Sequence, residues 1–245
     1  MFDKFKNFIK SILFLIHAKV SLKLILYFIY YKIKKIFFIN IIYKKKYNSK
    51  IENIYKNFYS NRTTLFKDSA LEVLYILQKH KIFKNISYLE IGSFEGSSAI
   101  FFYNYLIQST LCCVGTWMGS EEFINDIINM KVVENNFNKN IQNLNGNKLI
   151  KIKNNSKNFF ETNSKKFNIA FIDGDHKYEN VIIDLNNTFK FIDKDGIIIC
   201  DDFLWSYYLI PANNPAKAIS DFYENNKKRL KILSVSNMVI FKKTN

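Results

Sequence analysis

Three acidic residues stand where apolar runs end. Ile169-Ala-Phe-Ile runs into Asp173, followed by Gly174, Asp175 and His176, and Gly196-Ile-Ile-Ile-Cys runs into Asp201 and Asp202. Carboxylates gathered at one place repel unless something neutralises them. A hard, oxygen-ligated cation such as Mg2+ does so, which makes Asp173, Asp201 and Asp202 candidate metal ligands. Each is equally readable as a cap for the loop or helix that follows. His176 is a candidate catalytic base because imidazole titrates near neutrality, or a hydrogen-bonding neighbour of the reacting groups. Asp173 joins it as a candidate catalytic residue.

A second segment, Tyr88-Leu-Glu-Ile-Gly-Ser-Phe-Glu-Gly-Ser-Ser98, has the form of a ligand-binding turn. An apolar strand ends in Glu90-Ile-Gly92, and a helix opens near Gly96. Glycine at 92 permits a tight turn and close approach of a ligand, and Ser97 and Ser98 can cap the helix or touch the ligand. A dinucleotide fingerprint would read G-x-G-x-x-G, but Phe94 and Ser97 occupy its second and third glycine positions. That weighs against an NAD-dependent oxidoreductase.

The elements that must hold these residues alternate. Strands are expected at Ser87–Ile91, Thr110–Gly115, Lys148–Lys153, Asn168–Asp173 and Gly196–Asp201. Helices are expected at Gly96–Gln108, Glu121–Asn140, Ser156–Ser164 and Tyr178–Phe191. A last helix, Ala216–Lys228, precedes two strand-like runs, Leu230–Val235 and Met238–Phe241, separated by Ser236-Asn237. This order predicts an α/β fold: a mostly parallel, Rossmann-like sheet with helices on both faces and a terminal antiparallel hairpin. All seven glycines lie between Gly92 and Gly196, several at strand ends, where open α/β sheets bind ligands. Cys112, Cys113 and Cys200 fall in apolar strands without zinc spacing and read as buried thiols of a reducing compartment. The adjacent pair should face opposite sides of the sheet.

The 245 residues divide by charge. Residues 1–46 carry 11 lysines and one acid, Asp3, whereas the rest carries 25 basic and 20 acidic residues. The chemistry-bearing part is therefore nearly balanced, which argues against nucleic acid as a partner. The leader, 1–46, contains an apolar arc, Phe2, Phe5, Ile9, Ile12, Leu13, Ile16 and Val20, at helical spacing. It is expected either to pack on its own domain or a second subunit, forming a homo-oligomer, or to lie on an anionic membrane surface. The charge-free runs Leu24–Tyr31 and Ile36–Tyr43 are far shorter than the ~20 residues a span needs. No secretory signal stands out, so a cytoplasmic protein, peripheral on the inner membrane face in the second case, is expected. Residues 47–85 read as a helical lead-in with Asp68 as an N-cap, and 86–245 as the main domain.

Four blocks together resemble the class I S-adenosylmethionine-dependent methyltransferases, in particular their metal-dependent O-methyltransferase group. They are Leu89-Glu-Ile-Gly-Ser-Phe-Glu-Gly-Ser97, Thr116-Trp-Met-Gly-Ser-Glu-Glu122, Phe171-Ile-Asp-Gly-Asp-His176 and Asp201-Asp-Phe-Leu-Trp205. The resemblance runs from about Tyr88 to Phe241 and leaves out the leader. It implies a seven-stranded sheet whose last strand runs antiparallel. It also implies S-adenosylmethionine as cofactor, with Glu90, Gly92, Ser93, Gly96, Thr116, Trp117, Asn155, Ser156 and Asp173 around it. Asp173, Asp201 and Asp202 match divalent-metal positions, and His176 matches a base. Where the family has an acid ending the second strand to hold the ribose hydroxyls, this chain has Gly115. Thr116, Trp117 or Glu121 would have to replace it. The expected activity is O-methylation of a hydroxyl on a sugar, glycan or small metabolite. A methyltransferase-like binding domain without catalysis, the NAD-dependent enzyme and a membrane-surface scaffold are the alternatives.

Overall fold

The computed structural model describes residues 2–35, 41, 43–60, 66–121, 128–142 and 144–245. Much of the Ile36–Tyr43 run, Glu122 and the following part of the expected Glu121–Asn140 helix lie outside them.

The leader folds as α1 (Phe2–His17) and α2 (Leu22–Lys34), followed by α3 (Lys44–Ile54) and α4 (Lys67–Lys79). Then come β1 (Ser87–Ile91), α5 (Ser97–Tyr105), β2 (Thr110–Gly115), α6 (Met130–Ile141), β3 (Lys148–Lys153) and α7 (Ser156–Thr162). The chain ends with β4 (Phe167–Ile172), α8 (Tyr178–Phe191), β5 (Ile192–Cys200), a short 3-10 turn (Pro211–Asn213), α9 (Pro215–Asn226), β6 (Leu230–Val235) and β7 (Val239–Lys243).

The strands form one seven-stranded sheet in the order β3-β2-β1-β4-β5-β7-β6. β1 to β5 pair in parallel, and β7 runs antiparallel to both β5 and β6. Alternation along each strand sorts side chains between the two faces. Leu89, Ile91, Ala170, Ile172, Ile198 and Cys200 face a core shared with α7, α8 and α9. Tyr88, Ile169, Phe171, Ile197 and Ile199 face a second core with α3, α4 and α5. Helices thus cover both faces. Cys112 and Cys113 fall in different clusters, and all three cysteines are buried and free.

The leader adds to the first core. Leu15, Ala18, Leu24 and Phe28 are fully buried among Phe222, Tyr223, Ile232 and Phe241. The chain breaks between α1 and α2 at Lys19, which has a left-handed φ of 56°. The Ser21 backbone N–H donates to Ser220 Oγ at 2.9 Å, and Lys35 pairs with the buried Glu72 at 2.7 Å. The face that packs contains Phe8, Ile12 and Leu15, whereas Phe5, Ile9, Leu13 and Ile16 from the expected apolar arc are exposed. The arc combined two faces: sequence spacing shows that a helix is apolar, not which of its sides meets α2 and the Pro211–Asn213 turn. Asp68 lies inside α4 rather than at its cap, which is Phe66.

Candidate active site

The carboxyl ends of the strands are tied together by backbone bonds. Gly92 N–H donates to the Val114 carbonyl at 2.9 Å, Asp173 N–H to Ile91 at 2.8 Å and Asp201 N–H to Ile172 at 3.0 Å. The loops leaving β1, β2, β4 and β5 therefore start from one edge.

The β1–α5 turn holds Gly92 at φ 86° and Gly96 at φ 87°, a region a side chain disfavours. At Gly92 the stronger constraint is contact: an added Cβ would lie 1.9 Å from the Asp173 carbonyl oxygen. This glycine lets two strand ends meet, so a side chain would strike backbone before any ligand. Glu90 is fully buried and accepts a hydrogen bond from the Tyr88 hydroxyl. Burial pushes its carboxyl up to about 7, against the lowering influence of the Tyr88, Ser93 and Ser98 hydroxyls. The Ser93 and Ser98 hydroxyls sit beside this carboxyl, but Glu90 Oε1, Ser93 Oγ and Ser97 Oγ are buried and reach no protein partner in well-formed hydrogen-bond geometry. Orphaned polar atoms at a glycine turn fit a polar ligand that completes them. Glu95 stiffens the turn: it accepts from Asn136 Nδ2 at 2.7 Å, and its carbonyl accepts from Asn140 at 2.8 Å.

Beyond β2, an added Cβ at Gly115 would sit 3.4 Å from the Trp117 ring. Trp117, left-handed at φ 50°, is buried against Phe137, and its indole N–H donates to the Phe94 carbonyl at 2.8 Å. Indole nitrogen is a donor only, and this one is already used. Thr116 Oγ1 accepts from the Met118 N–H at 3.2 Å, and Glu121 is exposed. At the start of α7, Asn155 Oδ1 caps the helix by accepting from Asn158 N–H at 2.8 Å. Ser156 lies beside the buried Asp184, whose carboxyl burial raises to about 6 against the lowering effect of Ser156.

The loops after β4 and β5 bring Asp173, His176 and Asp202 together, with one potential ligand atom from each lying within 4.8 Å of the others. His176 Nε2 is 2.8 Å from Asp202 Oδ2 and 3.6 Å from Asp173 Oδ1. Asp201 does not belong to this group. Its Oδ1 accepts from the Asp202 N–H at 2.9 Å, and it lines a narrow cleft that runs from Asp173 and His176 back to Pro215 and Ile219. The geometry thus groups two of the three expected aspartates with the histidine and leaves Asp201 beside them. Both acids lie just past the end of β5, and a left-handed turn at Asp202 (φ 55°) carries its carboxylate to His176. The buried Phe203 anchors that turn by donating to the Asn237 carbonyl at 2.8 Å. Burial raises the Asp173 carboxyl; His176 opposes this and the Asp202 charge adds to it. Asp201 is raised in the same way, by burial first and then by Asp173 and Asp202. These crowded acids, with an imidazole among them, form a donor set that fits a divalent cation.

One neighbour has no spacing rule that would single it out. The Trp205 ring lies 5.2 Å from the His176 ring. Its sequence signal is its place at the end of the Asp201-Asp-Phe-Leu-Trp205 block, three residues beyond the aspartate pair.

Sheet order, glycine turn and clustered acids define a Rossmann-like methyltransferase fold. Residues 89–203 match the family model of a methyltransferase domain, so the resemblance to class I S-adenosylmethionine-dependent methyltransferases holds in sequence as well as in fold. An uncharacterized protein, R132, of Acanthamoeba polyphaga mimivirus is 32% identical over 150 residues, which are 56% of this chain. The match spans about 61% of the length of that curated relative. Among solved structures, a candidate caffeoyl-CoA O-methyltransferase from Staphylococcus aureus superposes with a TM-score of 0.56 at 15% identity, covering 87% of this chain and 100% of the other. The Podospora anserina methyltransferase PaMTH1, solved with S-adenosylhomocysteine, gives 0.52 at 15% identity, covering 82% and 96%.

Proposed function

We propose that this chain transfers a methyl group from S-adenosylmethionine to a hydroxyl of a small-molecule or sugar acceptor, with the help of a divalent cation. One observation carries the reading: the glycine turn with its orphaned polar atoms and the Asp173–His176–Asp202 group lie at the same edge of one sheet. When bound, S-adenosylmethionine supplies an electrophilic methyl group and the cation supplies Lewis-acid polarisation of the acceptor hydroxyl.

The residues of this chain then have distinct tasks. Glu90, Ser93 and the glycines at 92 and 96 shape the cofactor turn. Thr116 and Trp117, with Asn155 and Ser156, border it from β2 and α7. Asp173 and Asp202 would hold the cation with His176 Nε2 as a nitrogen donor, and Mg2+ or a metal more tolerant of nitrogen would suit the set. Holding donor and acceptor in line supplies much of the acceleration.

The 2.8 Å contact between His176 and Asp202 favours a second reading in one respect. It is also the geometry of a base and its orienting acid, with His176 taking the acceptor's proton and Asp202 stabilising the imidazolium. Metal titration of His176→Ala decides between them. Weakened metal affinity supports the ligand role, and unchanged affinity with lost turnover supports the base. Calorimetry with S-adenosylhomocysteine, followed by methyl-transfer assays on a diol panel with and without chelator, tests the reading as a whole. Binding without any transfer would leave a non-catalytic domain, and full activity in chelator would reject the cation. Association of residues 1–46 with anionic membrane, or with a second copy, belongs to the same proposal.

A further inference from the structure

We propose that the exposed faces of α1 and the 203–213 loop form one surface that docks on an anionic bilayer and brings the mouth of the active site to it. Its link to catalysis rests on the site proposed above; the surface itself does not.

On α1, Phe5, Ile9, Leu13 and Ile16 lie at helical spacing on the side away from the core, and all are exposed. A stripe of this kind beside exposed lysines is the pattern of an interfacial helix. Lys6, Lys10, Lys19 and Lys23 are exposed around it. A second apolar group stands on the loop after β5. Leu209 is 101% exposed and Ile210 61%, with Trp205 and Tyr207 also open to solvent. These residues are held in place rather than frayed. The fully buried Asn214 exchanges hydrogen bonds with the Tyr208 backbone at 3.0 and 2.9 Å and donates to the Ile210 carbonyl at 3.2 Å.

The two groups adjoin, because α1 packs against the Pro211–Asn213 turn. The loop in turn reaches the site, since the Trp205 ring lies against that of His176 at a tilt of 50°. Exposed apolar side chains grouped in this way mark an interaction surface. Charge selects the occupant. The exposed charged residues described on α1, the turn after it and the first residues of α2 are Lys6, Lys10, Lys19 and Lys23 against one acid, Asp3. A two-fold dimer through this face would set lysines against lysines, whereas an anionic headgroup layer complements them.

The test uses the full chain and vesicles of phosphatidylcholine with or without phosphatidylglycerol. Sedimentation should show binding to the anionic vesicles that falls with salt. Leu209→Ser/Ile210→Ser and Leu13→Ser/Ile16→Ser should each weaken it by roughly tenfold or more, with unchanged thermal melting because the sites are exposed. Trp205 emission should shift to the blue on binding and be quenched by brominated lipid. Trp205→Phe should lose that signal, because Trp117 is already buried. Wild-type binding by the Leu209/Ile210 variant, or unshifted Trp205 emission in the bound protein, would overturn the proposal. So would failure to bind anionic vesicles, or a dimer that the same substitutions dissociate. Calorimetry of the variants with S-adenosylhomocysteine separates the two claims: vesicle binding without cofactor binding supports the surface and fails the methyltransferase reading.

Discussion

Glu90 is enclosed at the end of β1 with hydroxyls, not cations, beside its carboxyl, and the Tyr88 hydroxyl bonded to it. Its carboxyl rises from an ordinary 4.5 to about 7 because burial penalises the ionised form. The folded state then holds its proton more tightly than the unfolded state. This group's contribution to stability is complete below the unfolded value and is lost as pH rises through the folded one. Glu90→Gln cannot ionise, so the stability of wild type relative to the variant should fall by about 3 kcal/mol from low pH to pH 8. Denaturant titrations across that range check this, and a constant difference would contradict it. At Gly92 the expected effect is on folding. An alanine there meets the Asp173 carbonyl, so Gly92→Ala should cost about 3 kcal/mol or more and lower the urea midpoint. A near-native midpoint would show that the strand ends separate easily. Within the Asp201–Asp202 pair, sequence makes both acids visible but not which one reaches His176. That depends on a left-handed backbone at a non-glycine residue, which nothing in the residue types signals.

At the scale of elements, β1, β2, β3, α8 and β6 begin and end where apolar runs and their flanking residues predict. Buried parallel strands read as near-continuous apolar runs, so Leu111-Cys-Cys-Val and Ile197-Ile-Ile-Cys declare themselves. The leader is legible as helix but not in its orientation, because the partners of Leu15, Leu24 and Phe28 lie some two hundred residues away in α9 and β6. Deleting residues 1–46 therefore does more than remove a surface. It uncovers Phe222, Tyr223 and Phe241, at roughly 2 kcal/mol for each large side chain left without its cover. Thermal melting of the truncated chain should show a clear drop; an unchanged midpoint would mean that the leader is only loosely attached. At β2, an acid at Gly115 is in ordinary contact with the Trp117 ring. Gly115→Asp should fold and bind S-adenosylhomocysteine at least as tightly as wild type. A large calorimetric loss with the fold intact would mean that the backbone there already serves the hydroxyls of the ligand.

Across the whole molecule, five parallel strands deliver a glycine turn from one loop and acids from two others to a single edge, while the leader and the 203–213 loop present apolar side chains outside it. Residue types made both halves of the site visible, and chain order made the sheet visible. Their convergence required the β1–β4–β5 adjacency, which the resemblance implied and local spacing did not. No helix among the described residues is long and apolar enough to cross a membrane. The central claim is that this edge holds S-adenosylmethionine, and titration calorimetry of the full chain with S-adenosylhomocysteine tests it most directly. Saturable binding at one site per chain is expected, weakened in Ser93→Tyr, whose ring would fill the turn. No heat of binding at millimolar ligand with a folded protein, or binding unaffected by Ser93→Tyr, would contradict it.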